Sequence, residues 1–329
     1  MSLPVFDEGA RVAMVGDSIT HNGIAVAYIQ EYYRTHFPKR GVQLFNVGIG
    51  GDTAAGCLMR MDDVLAVKPT DAVVMFGVND LGCWLYRPDK EVNEEARAER
   101  CRAHLDAILR LVGELCAAGV RVVLCSSVGR DELTPATEER WHLTEGATDA
   151  LYLMYQRNLD ALLGKIVGTV DYLTPMQSLQ GELVALGGPS LFEDDRTHPN
   201  PLGQAMMARI LLASQGLPVK LPTAELLASG WCERPLSPEG EAAWQAGVAL
   251  RDLVWFRPSH QKATEGMTLD GRVAYYREEI AKIERRDDPD MCEYDRECLG
   301  RSYRFFVENA YREEEMRADY YEKTAALYR

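Results

Sequence analysis

The sequence has few histidines and no closely spaced pair of cysteines, and both absences bear on metal binding. Its six histidines are scattered, and its eight cysteines include no C-x-x-C pair. A structural zinc site needs such ligands in clusters, so we expect no metal and no cofactor. Several cysteines lie inside apolar runs, which is typical of mostly buried, reduced thiols in a cytoplasmic protein. A disulfide between Cys292 and Cys298 is the less favoured alternative.

Long hydrophobic runs and clusters of positive charge are also missing. No apolar stretch approaches the ~20 residues that a transmembrane helix needs, and residues 1–11 lack the positive start and apolar segment of a signal peptide. Lysine and arginine total 36 against 50 aspartates and glutamates, which gives a formal net charge of −14. This charge repels nucleic acids and anionic lipid surfaces. The sequence therefore predicts a cytoplasmic protein that binds neither nucleic acid nor membrane.

Short apolar runs alternate with longer amphipathic stretches between residue 11 and about residue 215. The apolar runs are typical of strands buried on both faces of a parallel sheet, and they lie at 11–15, 42–47, 72–76, 120–125 and 169–173. Helices are predicted between them, at 24–37, 53–67, 94–118, 148–166 and 202–215. This alternation predicts an α/β protein, a three-layer α/β/α sandwich around a parallel five-stranded sheet.

The character of the chain changes after Gly216. Residues 217–238 carry four prolines, which indicates a segment that links and wraps. Helices are predicted beyond it at 239–254, 271–286 and 302–328, and no strand pattern follows. We therefore predict an α/β domain at 1–216 and a mainly helical C-terminal extension at 217–329.

The extension is rich in aromatic residues that need a surface to cover them. They are Trp231, Trp244, Trp255, Phe256, Phe305 and Phe306. A homo-oligomer in which the extension forms part of the contact is the favoured arrangement. The alternative is a monomer whose extension folds back over its own first domain.

Three consecutive predicted strands each end in a glycine followed by polar residues. The segments are Gly16-Asp17-Ser18 after the first strand, 46–53 after the second and Gly77-Val78-Asn79-Asp80 after the third. Each alone is explained equally well by a helix cap or a turn. Parallel strands place their carboxyl ends at one edge of the sheet, where α/β proteins bind ligands. Because all three strands end in a glycine and polar residues, the pattern favours a functional site at this edge of the sheet.

Asp195-Arg196-Thr197-His198 precedes the last predicted helix of the α/β part. If the segment forms one helical turn, the carboxylate of Asp195 lies against a ring nitrogen of His198 and orients the imidazole. The other ring nitrogen can then take a proton from a hydroxyl group. With Ser18, these residues complete a Ser–His–Asp set.

Taken together, these segments resemble the SGNH hydrolases, the G-D-S-L esterase and lipase superfamily. The matching blocks are Gly16-Asp17-Ser18-Ile19, Gly51 within Gly50-Gly51-Asp52-Thr53, Gly77-Val78-Asn79-Asp80, and Asp195 to His198. The resemblance covers residues ~10–215 and implies a flavodoxin-like sheet. It implies that Ser18 is the nucleophile, His198 the general base and then acid, and Asp195 the orienting carboxylate.

The same resemblance implies an oxyanion hole and two supporting residues. The oxyanion hole combines the backbone N–H groups of Ser18 and Gly51 with the side-chain amide of Asn79. Asp17 and Asp80 are assigned to holding loops through bonds from side chain to backbone.

Candidate substrate-lining residues are Trp84, Trp141 and Arg60. Both tryptophans lie in loops that leave the functional edge of the sheet, and an exposed aromatic ring suits a sugar; simple packing is the alternative. Arg60 is either a substrate contact or a surface salt-bridge residue. Similar family members remove acetyl groups from carbohydrates, so a serine esterase for small acyl esters on sugars is the favoured function. The alternatives are a thioesterase or lysophospholipase on the same site, and a catalytically silent scaffold assembled through the extension.

Overall fold

The computed structural model describes residues 3–135, 143–289 and 291–328. Within these ranges five strands form one sheet: β1 (Arg11–Gly16), β2 (Gln43–Asn46), β3 (Asp71–Met75), β4 (Arg121–Cys125) and β5 (Gly168–Val170). All neighbouring strands are parallel, in the order β2-β1-β3-β4-β5. This is the flavodoxin-like order, so the predicted fold class is confirmed.

Helices cover both faces of the sheet. They are α1 (Ser18–His21), α2 (Ile24–His36), α3 (Ala54–Leu58), α4 (Met61–Ala66), α5 (Val78–Leu81), α6 (Glu94–Ala117), α7 (Ala147–Leu162), α8 (Leu173–Leu186) and α9 (Pro201–Ser214). Short 3₁₀ helices lie at Pro38–Arg40 and Cys83–Tyr86. Four of the five predicted helices are present with small changes at their ends.

Several helices of this part depart from the predictions, among them the four-residue helices α1 and α5, which were not predicted. The stretch 53–67 was predicted as one helix, but it breaks at Arg60, whose backbone leaves the helical region at φ −125° and ψ 30°. Helix α8 was not predicted, because Pro175 and Gly181 lower its helix propensity. Pro175 is tolerated since it lies in the first turn, where the backbone N–H groups have no acceptor within the helix.

The strands bury side chains on both faces, as the apolar runs predicted. On one face Val12 and Met14 of β1 pack with residues of α2, α8 and α9. On the other face Ala13 and Val15 pack with residues of α4, α6 and α7. The alternation follows from the two-residue period of a strand. The parallel pairing of the strands places the carboxyl ends of β1, β2 and β3 at one edge.

The C-terminal extension is helical, as predicted. Its helices are α10 (Ala224–Ala228), α11 (Pro238–Val254), α12 (Leu269–Arg285), α13 (Glu293–Asn309) and α14 (Glu313–Ala326), with a 3₁₀ helix at Lys262–Thr264. The single helix predicted at 302–328 was wrong. The chain turns between Asn309 and Glu313, which places α13 against α12 and α14 against α11. None of the helices in the three described ranges is long and apolar enough to cross a membrane.

The extension packs onto the sheet of its own chain. Leu250, Val254 and Tyr320 belong to the same buried cluster as Phe45 of β2. The hydroxyl of Tyr320 accepts the backbone N–H of Asn46 at 2.7 Å, which occupies the outer edge of the sheet. Because the extension and the α/β part share this core, the division into two domains at residues 216 and 217 remains a proposal.

The aromatic residues of the extension are covered largely by the chain itself. Phe256 and Phe306 are buried and stack with their ring centroids 4.7 Å apart. Their burial therefore needs no second subunit, and the structure follows the fold-back alternative at this point. The homo-oligomer stays a prediction that the aromatic content no longer supports.

A buried cluster of charges joins the extension to the α/β part. Asp63 of α4 accepts hydrogen bonds from Arg251 of α11 at 2.6 Å and from Arg317 of α14 at 3.3 Å. Burial would raise the pKa of Asp63, but the charge and hydrogen bonds of Arg251, with Arg60 and Arg257 nearby, hold it well below its usual range. Removing one partner of such a buried pair costs about 3–5 kcal/mol, so the cluster fixes the extension firmly in place.

All eight cysteines are free thiols, so the disulfide alternative for Cys292 and Cys298 is wrong. The prediction that most of them are buried is also wrong. Cys57 and Cys125 are buried, whereas Cys116, Cys232 and Cys292 are exposed. Cys116 lies on the solvent side of the last turn of α6, and Cys292 caps the start of α13.

Candidate active site

Ser18 lies at the turn from β1 into α1, where it is the first residue of the helix. The preceding Asp17 caps the helix, and its Oδ1 accepts the backbone N–H of Ile19 at 3.0 Å. Burial raises the pKa of Asp17 to about 7, although the Ile19 hydrogen bond opposes the shift. The N–H of a first helical residue has no acceptor within the helix. Ser18 therefore offers both a hydroxyl and a backbone donor, and Asp17 has the structural role that was predicted.

Asp195 and His198 lie in a tight loop and not in the helical turn that was predicted. Asp195 Oδ1 accepts the backbone N–H groups of Thr197 and His198, both at 2.9 Å, and Arg196 has a positive φ of 60°. Because Arg196 adopts the left-handed conformation, the segment does not form a turn of right-handed helix. The other carboxylate oxygen, Oδ2, bonds Nδ1 of His198. One carboxylate thus fixes both the backbone and the ring of the histidine.

The ring of His198 reaches across to Ser18. Its Nε2 lies 2.8 Å from the Ser18 Oγ. Since Nδ1 faces the Asp195 carboxylate, the proton is assigned to Nδ1, and Nε2 accepts from the serine hydroxyl. The structure thus brings together Ser18, Asp195 and His198, the three residues predicted from the sequence. Ser18 and His198 are 180 positions apart in the chain.

The contact between Asp195 and His198 shifts the pKa values of both side chains in the direction that favours an ion pair. The hydrogen bond that His198 donates to the Asp195 carboxylate raises the pKa of His198 above its ordinary value, although burial opposes the shift. Burial would raise the pKa of Asp195, but the bond to His198 lowers it well below its usual range. The carboxylate therefore stays ionised and stabilises a proton on the imidazole.

Gly51 lies in a turn that follows β2. The N–H of Asp52 donates to the carbonyl of Ile49 at 3.2 Å, and Gly51 has a φ of 75°. A positive φ at the third residue is the requirement of a type II turn, which glycine meets without strain. The N–H of Ile49 donates to the carbonyl of Gly16 at 3.1 Å, so the turn adjoins the end of β1 and Ser18.

Asn79 is tied to the same turn. Its Nδ2 donates to the carbonyl of Asp52 at 2.9 Å, and a side-chain amide carries two N–H donors. The bond to Asp52 orients the amide and uses one of the two donors. Asp80 holds the neighbouring segment as predicted, because its Oδ1 accepts the N–H of Ala54 at 3.1 Å. The predicted oxyanion-hole residues thus belong to one hydrogen-bonded loop system.

Arg60 is neither a substrate contact nor a surface residue, so both interpretations of it were wrong. Its side chain is 1% exposed. Its guanidinium donates to Asp52 Oδ2 and to the carbonyl of Val47, both at 2.8 Å. The break between α3 and α4 turns it inward, where it neutralises Asp52 directly behind the turn of Gly51.

Of the two tryptophans predicted to line the substrate site, the structure describes one. Trp84 is 58% exposed on the 3₁₀ helix that follows α5, and the guanidinium of Arg100 lies 4.9 Å from the centre of its ring. Its role in lining a substrate site stays a prediction. Trp141 lies outside the described residues.

Sequence reasoning missed several residues that hold the site. Arg130 is buried and donates to Thr197, the residue between Arg196 and His198. His21 and Trp255 both hydrogen-bond Gly50. No local pattern marks these residues, because each acts on a segment that is distant in the sequence.

Relatives of known structure share this fold. A gut microbial diltiazem-metabolizing enzyme matches 99% of this chain and 97% of its own, with a TM-score of 0.74 and 19% identity. The shared fold therefore includes the helical extension. A variant of an acetyl xylan esterase from Geobacillus stearothermophilus matches 66% of this chain and 99% of its own, with a TM-score of 0.50 and 22% identity.

Sequence comparison points the same way for the α/β part. An acetylxylan esterase of Geobacillus stearothermophilus is 32% identical over 89 residues, which are 22% of this chain and 41% of that protein. The match thus spans less than half of the relative's length. The model of the GDSL-like lipase/acylhydrolase family matches residues 14–206, more than half of the chain, and includes every residue of the Ser–His–Asp set. This chain belongs to the GDSL-like lipase/acylhydrolase family.

Proposed function

We propose that the protein is a serine esterase that hydrolyses small acyl esters, acetyl above all, on carbohydrates. The observation that carries the proposal is the 2.8 Å contact between His198 Nε2 and Ser18 Oγ, with Asp195 on the other ring nitrogen. A serine hydroxyl is a weak nucleophile unless an adjacent base takes its proton. Membership of an acylhydrolase family supports the same reaction class.

The first half of the reaction acylates Ser18. As Oγ attacks the ester carbonyl carbon, its proton moves to His198 Nε2, and the carbonyl oxygen becomes an oxyanion. The N–H groups of Ser18 and Gly51 and the free N–H of Asn79 donate to that oxyanion. When the tetrahedral intermediate collapses, the bond to the alcohol oxygen breaks, and the departing alcohol takes the proton from His198.

The second half releases the acid and restores the enzyme. Water attacks the acyl carbon while His198 accepts its proton, and a second oxyanion forms in the same hole. Collapse breaks the bond between the acyl carbon and Ser18 Oγ, which recovers its proton from His198. Asp195 remains ionised throughout and holds the imidazole in the correct tautomer.

The substrate proposal has two supports. The relative matched in sequence, from Geobacillus stearothermophilus, bears the name acetylxylan esterase, and Trp84 offers an exposed aromatic ring on the segment that follows Asn79. Flat apolar rings suit the faces of sugars, whereas long acyl chains need a broad apolar groove. We place the enzyme in the cytoplasm, a proposal for which the free thiols give some support.

Chain length of the acyl group tests the substrate proposal. We expect kcat/KM to be highest for the acetyl ester in a series of p-nitrophenyl esters from acetyl to dodecanoyl, because acetyl is the acyl group that the proposed substrate carries. Acetylated xylo-oligosaccharides should be cleaved more efficiently than p-nitrophenyl acetate. A maximum at octanoyl or longer would indicate a lysophospholipase-like groove instead, and a preference for acyl thioesters would indicate a thioesterase.

The pH dependence tests the role of His198. The base must be neutral to accept the serine proton, and the Asp195 hydrogen bond raises its pKa above the ordinary value. We therefore expect kcat/KM to rise with pH through an apparent pKa above 6.5, when it is measured from about pH 5 to pH 9. Asp195→Asn removes the cause of the shift, so the rising limb should move to lower pH while the rate falls by about 10⁴-fold.

Asp17→Asn is the matched control for this profile. Asparagine also caps helices well, and the change removes the other carboxyl group whose pKa lies in the same range. We expect a smaller displacement of the limb than with Asp195→Asn. The role of His198 would be contradicted if the rise of kcat/KM with pH kept its position in Asp195→Asn. It would also be contradicted if the rise moved further in Asp17→Asn than in Asp195→Asn.

A further inference from the structure

Gly50 is held by a side chain of the C-terminal extension. Trp255 follows α11 directly, and its indole Nε1–H donates to the carbonyl of Gly50 at 3.1 Å. The indole packs edge-on against Phe256, with the ring centres 4.9 Å apart, and Phe256 is buried. The tryptophan is therefore a rigid support anchored in the core of the extension.

The carbonyl that Trp255 holds belongs to the same peptide group as the N–H of Gly51. A peptide group is planar, and in the trans form its C=O and N–H point in opposite directions. Fixing the carbonyl of Gly50 on the side of Trp255 therefore aims the Gly51 N–H to the other side. A hydrogen bond to the carbonyl also polarises the peptide and strengthens its N–H as a donor.

This peptide has an alternative orientation that the sequence permits. Type I and type II turns differ mainly in ψ of the second residue and φ of the third, which amounts to a rotation of the central peptide. Here the central peptide joins two glycines, which enter either conformation at little steric cost. The turn alone thus does not determine where the Gly51 N–H points.

The N–H of Gly50 is held by His21 of α1, and the extension contacts that histidine. The Gly50 N–H donates to His21 Nδ1 at 3.0 Å, and His21 Nε2 lies 3.0 Å from Asp252 Oδ1. Because Nδ1 is the acceptor, the proton of the imidazole is assigned to Nε2, which donates to the carboxylate. Asp252 lies near the end of α11, three positions before Trp255. One segment of the extension therefore bonds the carbonyl of Gly50 directly, through Trp255, and orients the His21 ring that bonds its N–H.

We propose that Trp255 is a positioning residue, which keeps the Gly50-Gly51 peptide oriented so that the Gly51 N–H serves as an oxyanion donor, with the His21–Asp252 pair in support. The inference rests on the proposed function, since it concerns the same oxyanion hole. It assigns the extension a part in catalysis through residues that touch neither substrate nor triad.

Trp255→Phe is the test, because it keeps an aromatic ring and removes the N–H donor. We expect kcat for p-nitrophenyl acetate to fall about tenfold, less than the 10²–10³-fold loss that follows removal of a donor outright, while KM stays within twofold. Trp244→Phe is the matched control. Trp244 lies in α11 and donates Nε1–H to the carbonyl of Asn22 at 2.8 Å, so it loses the same kind of bond away from the turn and should retain wild-type kcat.

Inhibition by a small boronic acid separates positioning from general packing. Its tetrahedral adduct with Ser18 mimics the intermediate and places an oxygen in the oxyanion hole, so the inhibition constant should rise by the same factor as kcat falls. Asp252→Ala gives a second variant, with a side chain about half exposed that does not threaten folding. We expect a loss of kcat of about threefold, because Gly50 remains tied to Trp255.

The outcomes separate this inference from the function on which it rests. If Ser18→Ala is inactive while Trp255→Phe and Asp252→Ala keep wild-type kcat and boronic acid inhibition, the positioning role is wrong and the esterase stands. Equal losses in Trp255→Phe and Trp244→Phe, accompanied by equal falls in melting temperature, also overturn it. If Ser18→Ala keeps wild-type turnover, the proposed function itself fails.

Discussion

Replacing Ser18 with alanine is expected to lower kcat for p-nitrophenyl acetate by about 10⁴-fold to 10⁶-fold. The change removes the attacking oxygen, which is the hydroxyl that hydrogen-bonds His198 Nε2 among the described residues. The fold should survive, because the start of α1 is capped by Asp17 and not by the serine side chain. Steady-state kinetics and the melting temperature of the variant measure the two effects separately.

His198→Ala is the companion variant, and its loss should be similar. Nucleophile and base act as a unit, so the double variant should be scarcely worse than either single one. Losses that multiply in the double variant would show that the two residues act independently. Turnover near the wild-type value in Ser18→Ala would rule out the serine as the nucleophile.

Asn79→Ala is expected to reduce kcat by about 10²–10³-fold with little change in KM. The variant keeps the nucleophile and the base but removes a donor that acts on the oxyanion, which exists only after attack. The same amide also ties the Asp52 carbonyl, and a hydrogen bond of this kind contributes about 1 kcal/mol to stability. A modest fall in melting temperature should therefore accompany the kinetic loss.

Asn309→Ala provides the control for that secondary effect. Its Nδ2 donates to the carbonyl of Phe305 at 2.8 Å in α13, and its Oδ1 accepts from Arg312 at 3.0 Å, so a comparable amide bond and one exposed bond are lost within the extension. We expect a similar change in melting temperature and an unchanged kcat. If Asn79→Ala changed KM alone, Asn79 would be a binding residue and not an oxyanion donor.

The fold of the α/β part was predictable because its signals are local. Each apolar run is short and continuous, and the run at 11–15, for example, corresponds to β1 with one added residue. Helix α8 escaped prediction because Pro175 weakens its pattern, although a proline in the first turn does no harm. The turn that separates α13 from α14 escaped because residues 302–328 have helical spacing on both sides of it.

The site was predictable to the extent that its residues follow strands or form short motifs. Ser18, Gly51 and Asn79 each follow a strand of one parallel sheet, and topology alone brings such residues together. Arg60 was misjudged because an arginine in an amphipathic stretch is normally exposed. Its burial depends on Asp52 and Asp63, whose positions only the tertiary structure reveals. Trp255 gave no signal, since its acceptor Gly50 is 205 positions away.

The extension is thus part of the same structural unit as the site. Its arginines neutralise Asp63, which also contacts Arg60, and Arg60 in turn holds Asp52 beside the turn of Gly51. A second connection runs through Trp255 to Gly50. Both connections end at the proposed oxyanion hole. The extension therefore supports that site in addition to covering the sheet.

Trapping the acyl-enzyme shows whether Ser18 is the nucleophile. The protein is mixed with p-nitrophenyl acetate, quenched in acid within the first turnover and digested, and the peptides are examined by mass spectrometry. We expect one acetyl group on Ser18, present in the wild-type protein and absent from Ser18→Ala. Rapid hydrolysis with the acetyl group on another residue, or with no acetylated residue at any quench time, would contradict this role of Ser18.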